Sequence, residues 1–494
     1  MEKTPHVLGL DAGTTGVTAL AVAHDGRTLA RASREFPQHF PQPGWVEHDA
    51  LEIWAATRRV LAELYAGLDP RAAVALGITN QRETTVVWDR ATGTPAARAL
   101  VWQDRRTAAQ CDAWRAAGLE PEVRRRTGLV LDAYFSASKL RWWLDQGLDP
   151  AGLACGTVDS WLVWCFTGGT QHATDFTNAS RTLLFDIHER RWSDELLRAF
   201  GVPRAWLPEV RPSVAAYGTV RGVDPLPDGL PILGVAGDQQ AALFGQQCVA
   251  PGDWKNTYGT GCFLMLHTGD RALESRHGLL TTLVCGARGE AAYGLEGSVF
   301  SAGAAVQWLR DGLGLIADAQ ECERLAQTVE DSGGVVLVPA FTGLGAPHWV
   351  QNARGALSGL TRGSTRAHVC RAALEAMAYQ TWDVCAAMQA DVRAADPGAV
   401  FGPLRVDGGA SQNNFLMQFQ ADVLGLAVDR PEQIETTALG AAFLAGFGAR
   451  FWTDAAELGR ARRTARRFEP GLDADRRQAL LGAWQAAVRR VADA

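Results

Sequence analysis

The sequence predicts an α/β protein of two lobes with a cleft between them. Strand-like apolar runs alternate with helical patterns along the whole chain. A length of 494 residues exceeds what one hydrophobic core usually supports. Each half also has a strand followed by a glycine-rich loop, Asp11–Thr15 in the first and Asp407–Ala410 in the second. Because such loops bring backbone N–H groups close to phosphate, they indicate one nucleotide held by both lobes.

The individual elements follow from local periodicity. Helical spacing of apolar residues predicts a helix that starts at Asp49 and continues through Leu64, and another from Val369 to Met388. After Ala442 we expect only one more helical region, Arg476–Val491. Apolar runs predict strands at Val7–Leu10, Thr18–Ala23, Val74–Thr79, Thr85–Asp89, Ile232–Ala236, Phe263–His267 and Val335–Pro339.

A Pro-Gly pair marks the expected connection between the lobes. Pro251-Gly252 lies within the segment Gln246–Thr257, where we place the linker. The expected division is an N-terminal lobe, residues 1–250, that binds the acceptor and carries the phosphate loop and the base. A C-terminal lobe, residues 251–494, is then expected to bind the nucleotide.

Composition and charge exclude several classes of protein. No stretch approaches the roughly 20 apolar residues that cross a bilayer, so we expect no membrane insertion. The nine cysteines form no Cys-x-x-Cys pair, and the N-terminus has no signal-peptide pattern, which favours a cytoplasmic location. Net charge is -6, and the arginines of Arg460–Arg467 are interpreted as a solvated helix face. We therefore expect no nucleic-acid partner.

Asp238 is the candidate general base. It follows the apolar strand Ile232–Ala236 through a glycine, at the start of a predicted short helix. Alone it would be read as a helix cap worth about 1 kcal/mol. However, Asp11 and the polar cluster Asn80–Thr84 also follow strands of the same half, and ligands gather at such strand ends. A carboxylate beside a transferable phosphate can accept the proton of an attacking hydroxyl.

Arg82 and Glu83 suggest a polyol as the acceptor. The alternative is a surface ion pair, which would contribute little to stability. In a turn just past a strand the two side chains can converge instead. An arginine then donates hydrogen bonds to vicinal hydroxyls and a glutamate accepts them.

Several longer motifs resemble those of a known family. The chain resembles, essentially end to end, the FGGY family of carbohydrate kinases, and within it the enzymes that act on glycerol. The resemblance implies two actin-like, ribonuclease H-like lobes and ATP- and Mg²⁺-dependent phosphorylation of glycerol by a homodimer or homotetramer. The motifs are Gln42–Asp49, Asn80–Thr84, Val101–Thr107, Thr174–Thr182, Asn256–Phe263, Phe341–Pro347, Ala353–Ala356 and Gly359–Gly363.

The resemblance also implies roles for individual residues, and each role has a structural alternative. Tyr134 and Phe263 could be core aromatics, Gly303 could only permit close packing, and Asn413 could only cap a helix. The implied glycerol-binding residues are Arg82, Glu83, Tyr134, Asp238, Gln239 and Phe263. The implied nucleotide-binding residues are Thr14, Thr15, Gly16, Thr260, Gly303, Gln307, Gly409 and Asn413, and the implied magnesium ligands are Asp11 and Asp238.

The phosphate loop departs from the usual pattern of the family. Ala12 stands where glutamine is frequent, Gly16-Val17 replaces two serines, and Thr18 replaces an arginine. Ala133 replaces a proline, so we expect a looser loop around Tyr134. These differences keep a kinase for another small polyol or sugar open as an alternative. An actin-like ATPase switch and an inactive binding protein are further alternatives.

Overall fold

The computed structural model describes residues 3–350 and 352–493. The strands of the first half are β1 His6–Ala12, β2 Gly16–Ala23, β3 Thr28–Glu35, β4 Glu47–His48, β5 Ala73–Asn80, β6 Thr85–Asp89, β7 Ala99–Leu100, β8 Leu153–Thr157, β9 Ala173–Asp175, β10 Phe185–Asp186, β11 Arg191–Trp192, β12 Glu209–Arg211 and β13 Ile232–Gly237. Its helices are α1 Ala50–Leu64, α2 Ala108–Ala116, α3 Glu120–Thr127, α4 Ser136–Asp145, α5 Val158–Phe166, α6 Phe176–Ala179, α7 Asp194–Phe200 and α8 Asp238–Gly245.

The second half has a similar mixture of elements. Its strands are β14 Trp254–Tyr258, β15 Cys262–Gly269, β16 Leu280–Cys285, β17 Ala291–Val299, β18 Val336–Val338, β19 Ala356–Ser358, β20 Leu404–Asp407, β21 Val428–Pro431 and β22 Thr464–Phe468. Its helices are α9 Gly303–Gln307, α10 Ala319–Ala326, α11 Arg366–Ala395, α12 Asn414–Leu424, α13 Thr436–Gly448, α14 Ala455–Ala461 and α15 Ala474–Ala492.

Each half is built on one large mixed sheet, and the two sheets share a plan. The first has the order β13-β5-β1-β2-β3 and the second β16-β17-β15-β14-β20-β21-β22. In the first, β1 pairs with β2 in antiparallel and with β5 in parallel. In the second, β14 pairs with β15 in antiparallel and with β20 in parallel. The predicted α/β class is therefore confirmed, with two lobes of related topology.

Helix α13 belongs to the second half of the sequence but packs on the sheet of the first. It crosses β1, β5 and β13, and the approach is close enough to require glycine in the sheet. A Cβ atom on Gly77 would lie 1.9 Å from the backbone oxygen of Ala441. One on Gly9 would lie 2.1 Å from the oxygen of Ala438. This packing sets the N-terminal end of α13 above β1.

Two expectations for the C-terminal region are wrong. Arg460–Arg467 is not one helix face, since α14 ends at Ala461 and residues 464–468 form β22, which pairs with β21. The pairing available at the sheet edge overrides the helical pattern of charges. The region after Ala442 also contains α14 in addition to α15. Within the described residues, no helix is long and apolar enough to span a membrane.

Candidate active site

The candidate site lies where the parallel strands of the first sheet end. Asp11 lies near the end of β1, Arg82 and Glu83 follow β5, and Asp238 follows β13. Because β1, β5 and β13 are parallel, their carboxyl ends meet at one edge. Arg82 Nε lies 3.2 Å from Asp238 Oδ1 and 3.9 Å from Glu83 Oε1. The structure thus brings the predicted base and the Arg82-Glu83 pair together.

Glu296, a carboxylate on β17 of the second lobe, accepts hydrogen bonds from both Nη atoms of Arg82. Arg82 Nη1 donates to Glu296 Oε2 at 2.6 Å and Nη2 donates to Oε1 at 2.9 Å. Arg181 donates to Glu296 Oε1 at 3.0 Å and to Glu83 Oε1 at 2.7 Å. All four side chains are buried. The interpretation of Arg82-Glu83 as an exposed ion pair is therefore wrong, because both belong to a buried cluster of alternating charges.

The carboxylates of the cluster differ in the direction of their pKa shifts. Although burial opposes it, the guanidiniums of Arg181 and Arg82 lower the pKa of Glu296 to about 2. Burial raises the pKa of Glu83, with both arginines opposing it. Burial also raises the pKa of Asp238, and Arg82 partly offsets this. The side chain of Asp238 is 26% exposed, so this carboxylate faces the cleft with a raised proton affinity.

Three aromatic rings form an apolar wall beside the cluster. The centroid of Trp102 lies 5.4 Å from that of Tyr134 and 6.3 Å from that of Phe263, both edge-to-face. Trp102 Nε1 also donates to Thr14 Oγ1 at 2.9 Å. The wall therefore connects the predicted acceptor residues to the phosphate loop. Trp102 lies within the motif Val101–Thr107, but the sequence pattern alone predicts no site role for it.

Gln239 is oriented by a buried lysine, Lys255, for which the sequence pattern alone predicts no role. Lys255 Nζ donates to Gln239 Oε1 at 2.5 Å and to Thr257 Oγ1 at 2.6 Å. Burial lowers the pKa of Lys255, while the charges of Asp407 and Asp238 oppose the shift. With its oxygen bonded to Lys255, Gln239 presents its NH₂ group as the free end of the amide.

The loop that carries Tyr134 is held by hydrogen bonds. Buried Lys139 donates to the carbonyl oxygens of Ala133, Tyr134 and Phe135. Asp132 accepts a hydrogen bond from the backbone N–H of Tyr134 at 2.8 Å. The absence of proline at position 133 does not leave this loop without restraint, because a buried ammonium group satisfies its carbonyls.

His48 supports the phosphate loop through two glutamines. His48 Nε2 donates to Gln38 Oε1 at 2.7 Å, and His48 Nδ1 accepts from Gln81 Nε2 at 3.2 Å. Gln38 in turn donates to the oxygen of Thr14, and Gln81 donates to that of Gly13. This network requires neutral His48, because a protonated Nδ1 would face the NH₂ group of Gln81.

We expect this network to make stability depend on pH. Burial lowers the pKa of His48 from 6.5 to about 4. Between these values the unfolded chain binds a proton that the folded protein does not, so stability falls as pH drops from about 6.5 to about 4. At about 1.4 kcal/mol per pKa unit, the loss reaches about 3 kcal/mol at pH 4.

Chemical denaturation across this pH range measures the effect. His48→Gln is expected to flatten this part of the profile relative to the unsubstituted protein. The exposed-histidine variant His24→Gln is the matched control and should keep the full slope. Equal slopes for the protein with and without His48 would contradict the prediction.

Asp11 has the chemistry of a metal ligand. Its Oδ1 atom is buried and accepts no hydrogen bond from the described residues. Burial and the charges of Asp238 and Glu435 raise its pKa well above the ordinary value. Among residues 3–350 and 352–493, no group of three or more His, Cys, Asp or Glu residues could hold a metal. Two carboxylates and several waters nevertheless suit Mg²⁺, which uses few protein ligands.

Three of the predicted nucleotide residues lie around α9 and the loop between β14 and β15. Gly303 starts α9, and its N–H donates to the oxygen of Gly259 at 3.1 Å, next to exposed Thr260. Exposed Gln307 ends α9. A Cβ on Gly303 would lie 2.6 Å from the backbone oxygen of Gly259. Gly303 therefore also permits this close packing of the backbone.

The other nucleotide candidates lie in the loop after β20. Gly409 is exposed, and a Cβ there would meet nothing within 4 Å. Asn413 accepts a hydrogen bond from the N–H of Leu416 at 2.8 Å. It therefore caps α12, as the structural alternative for this residue predicts. Of the phosphate-loop residues, Thr15 is exposed, while Thr14 and Gly16 are half-buried.

Comparisons with known proteins agree on one family. The model of the FGGY family of carbohydrate kinases, N-terminal domain, matches residues 6–245, and the C-terminal domain matches residues 254–449. A protein named glycerol kinase from Trichlorobacter lovleyi is 56% identical over 492 residues, which cover 98% of each chain. One so named from Carboxydothermus hydrogenoformans is 53% identical over 493 residues, again with 98% coverage of each.

A solved structure matches the whole architecture. The crystal structure of Plasmodium falciparum glycerol kinase with ADP superimposes with a TM-score of 0.90 at 32% sequence identity, covering 99% of this chain and 98% of the other. The family models cover most of the chain, and the relatives match it nearly end to end. The chain therefore belongs to the FGGY family of carbohydrate kinases.

Proposed function

We propose that this protein is an ATP-dependent glycerol kinase of glycerol catabolism. It transfers the terminal phosphoryl group of ATP to a terminal hydroxyl of glycerol, giving sn-glycerol 3-phosphate and ADP. The observation that carries this proposal is the sequence identity of 53% and 56%, over nearly the full length, to two proteins named glycerol kinase. The arrangement of buried Arg82 and Glu83 with half-buried Asp238 beside an aromatic wall supports the same substrate class.

The acceptor is held by hydrogen bonds on one side and by rings on the other. Glu83 Oε1 is bonded to Arg181, so Oε2 is the oxygen proposed to accept from a glycerol hydroxyl. Arg82 Nε and the NH₂ group of Gln239 are proposed as donors. Tyr134 and Phe263 cover the carbon chain, which has no hydrogen-bonding groups of its own.

The proposed reaction is an in-line displacement. The terminal oxygen of glycerol forms a bond to the γ-phosphorus, and the bond from this phosphorus to the β,γ-bridging oxygen breaks. The hydroxyl proton passes to Asp238, and ADP leaves. Since phosphoryl transfer needs little covalent help from the protein, positioning and charge compensation carry most of the rate.

The nucleotide phosphates are proposed to meet the loop of Thr14, Thr15 and Gly16. On the opposite lobe, the proposed nucleotide contacts are Thr260, Gly303, Gln307, Gly409 and Asn413. Asp11 and Asp238 would hold Mg²⁺ directly or through water. The cation would supply positive charge that offsets the phosphate oxygens.

Three coarser features complete the proposal. Residues 1–250 and 251–494 act as the two lobes of a closing cleft. The protein works in the cytoplasm. It assembles as a homodimer or homotetramer, which sedimentation velocity of the purified protein would test.

Release of ADP from purified protein with Mg²⁺ and ATP tests the function. We expect turnover with glycerol and much less with ribitol, xylulose or dihydroxyacetone. Preference for one of these others would keep the mechanism but assign a different polyol or sugar kinase, the alternative that the unusual phosphate loop leaves open. Equal ATP hydrolysis without any acceptor would favour a nucleotide switch.

A further inference from the structure

A row of polar residues crosses the first sheet beside the phosphate loop. Asp11 on β1 pairs directly with Thr18 on β2, and Thr18 pairs with Ser33 on β3. Residues paired in this way share one face of the sheet, and the Oγ atoms of Thr18 and Ser33 lie 3.0 Å apart. The row therefore places neutral hydroxyls beside the Asp11 carboxylate.

Arg31 brings positive charge to the same face. It lies two residues before Ser33 on β3, and side chains two apart on a strand share a face. Its Nη2 atom donates to Glu435 Oε1 at 2.8 Å. Glu435 immediately precedes α13, whose N-terminal end lies above β1. Arg31 thus reaches from the first sheet to the helix that belongs to the second half of the chain.

This corner of the cleft is rich in carboxylates. Asp11 lies near the end of β1, Asp238 follows β13, and Glu435 precedes α13, whose first turns pack over β1. A nucleotide that approaches Asp11 adds phosphate charge to these groups. A cation that can turn toward the phosphates would offset part of this charge, alongside the metal.

The ion pair of Arg31 with Glu435 can exchange partners at little cost. The side chains are 47% and 34% exposed, and exposed pairs of this kind contribute about 0 to 1 kcal/mol. A guanidinium makes charge-assisted, often paired hydrogen bonds to carboxylate and to phosphate alike. Because the phosphates of a nucleotide carry more negative charge than one carboxylate, they can compete with Glu435 for Arg31.

We propose that Arg31 binds the nucleotide phosphates, exchanging the carboxylate of Glu435 for phosphate oxygens when the nucleotide binds. This inference rests on ATP as the phosphoryl donor of the proposed function. Arg31 is thus a phosphate-binding residue that acts on the donor and not on glycerol. Arg31 lies on β3, and β3 pairs with β2, the strand that carries Thr18.

Calorimetric titration of the full-length protein with ADP, without glycerol, tests the proposal. Arg31→Ala is expected to weaken ADP binding about tenfold, as the loss of a charged hydrogen bond predicts. Arg34→Ala is the matched control, since Arg34 lies on the same strand but pairs with exposed Glu63 at 2.7 Å. It should change the dissociation constant less than about twofold.

Two further variants separate phosphate binding from a structural role. Glu435→Gln frees Arg31 and should leave ADP binding equal or tighter, whereas a purely structural ion pair would make it as weak as in Arg31→Ala. Thr18→Arg in the Arg31→Ala background places a guanidinium opposite Asp11 and should restore most of the affinity. Thermal unfolding of each variant verifies the fold.

The outcomes are distinct from those for the acceptor. Unchanged ADP binding in Arg31→Ala, or equal weakening in Glu435→Gln, would overturn the role of Arg31 even if glycerol is phosphorylated. Conversely, phosphoryl transfer to an acceptor other than glycerol would overturn the proposed function. It would not change the conclusion about Arg31 drawn from ADP binding.

Discussion

Asp238→Asn is expected to lower kcat for the phosphorylated polyol by about 10² to 10⁴, the usual contribution of a positioned general base. Asparagine keeps the shape of the side chain and an oxygen that can accept from the N–H of Gln239, a bond of 2.7 Å in this structure. It cannot accept the hydroxyl proton. The expected loss is therefore in kcat, with small changes in KM.

The pH dependence of kcat provides a second readout for Asp238. The base must be ionised to work, so activity falls as pH drops through its pKa. Because burial raises that pKa, the fall should begin at higher pH than for an ordinary aspartate. The asparagine variant should lose this acid limb. A variant that retains full kcat, or the same acid limb, would remove Asp238 from the role of base.

The sequence allowed prediction of those parts of the fold and site that local pattern controls. Strands such as β1, β5 and β13 are continuous apolar runs, and their ends are marked by polar residues. Asp238 and the Arg82-Glu83 pair were found for this reason. Helix α1 begins where Asp49 accepts from the N–H of Leu51, as its position before the apolar pattern predicts.

Residues whose role depends on distant partners could not be found in this way. Glu296 lies 214 positions from Arg82 and inside a buried strand. Lys255 is likewise buried within β14. A lone charge in an apolar strand was the available signal, since buried charges are nearly always paired. The pattern does not predict the partner of such a charge, because the partner depends on how the two sheets face each other.

Glu296→Gln is expected to destabilise the protein by about 3 kcal/mol, because it removes the carboxylate charge that both buried guanidiniums share. Glu296 accepts hydrogen bonds from both Arg82 and Arg181 and is fully buried. With its pKa near 2, it is ionised throughout the neutral range. The glutamine variant is therefore expected to differ in stability by the same amount from pH 5 to pH 8.

Denaturant unfolding of Glu296→Gln and of a control, Glu290→Gln, measures this effect. Glu290 is exposed in the turn before β17, so its substitution should change stability by less than about 0.5 kcal/mol. Equal stability of the two variants would show that the arginines are compensated without Glu296.

The same substitution should also shift the chemistry at Asp238. The charge of Glu296 contributes to the raised pKa of Asp238, and Glu296 holds both Nη atoms of Arg82. Removing that charge strengthens the effect of Arg82 on Asp238, so the acid limb of kcat should move to lower pH. A mere packing defect would lower stability without moving the limb. Since Glu296 lies in the second lobe and Arg82 in the first, such a shift would mean that the relative position of the lobes sets the proton affinity of the base.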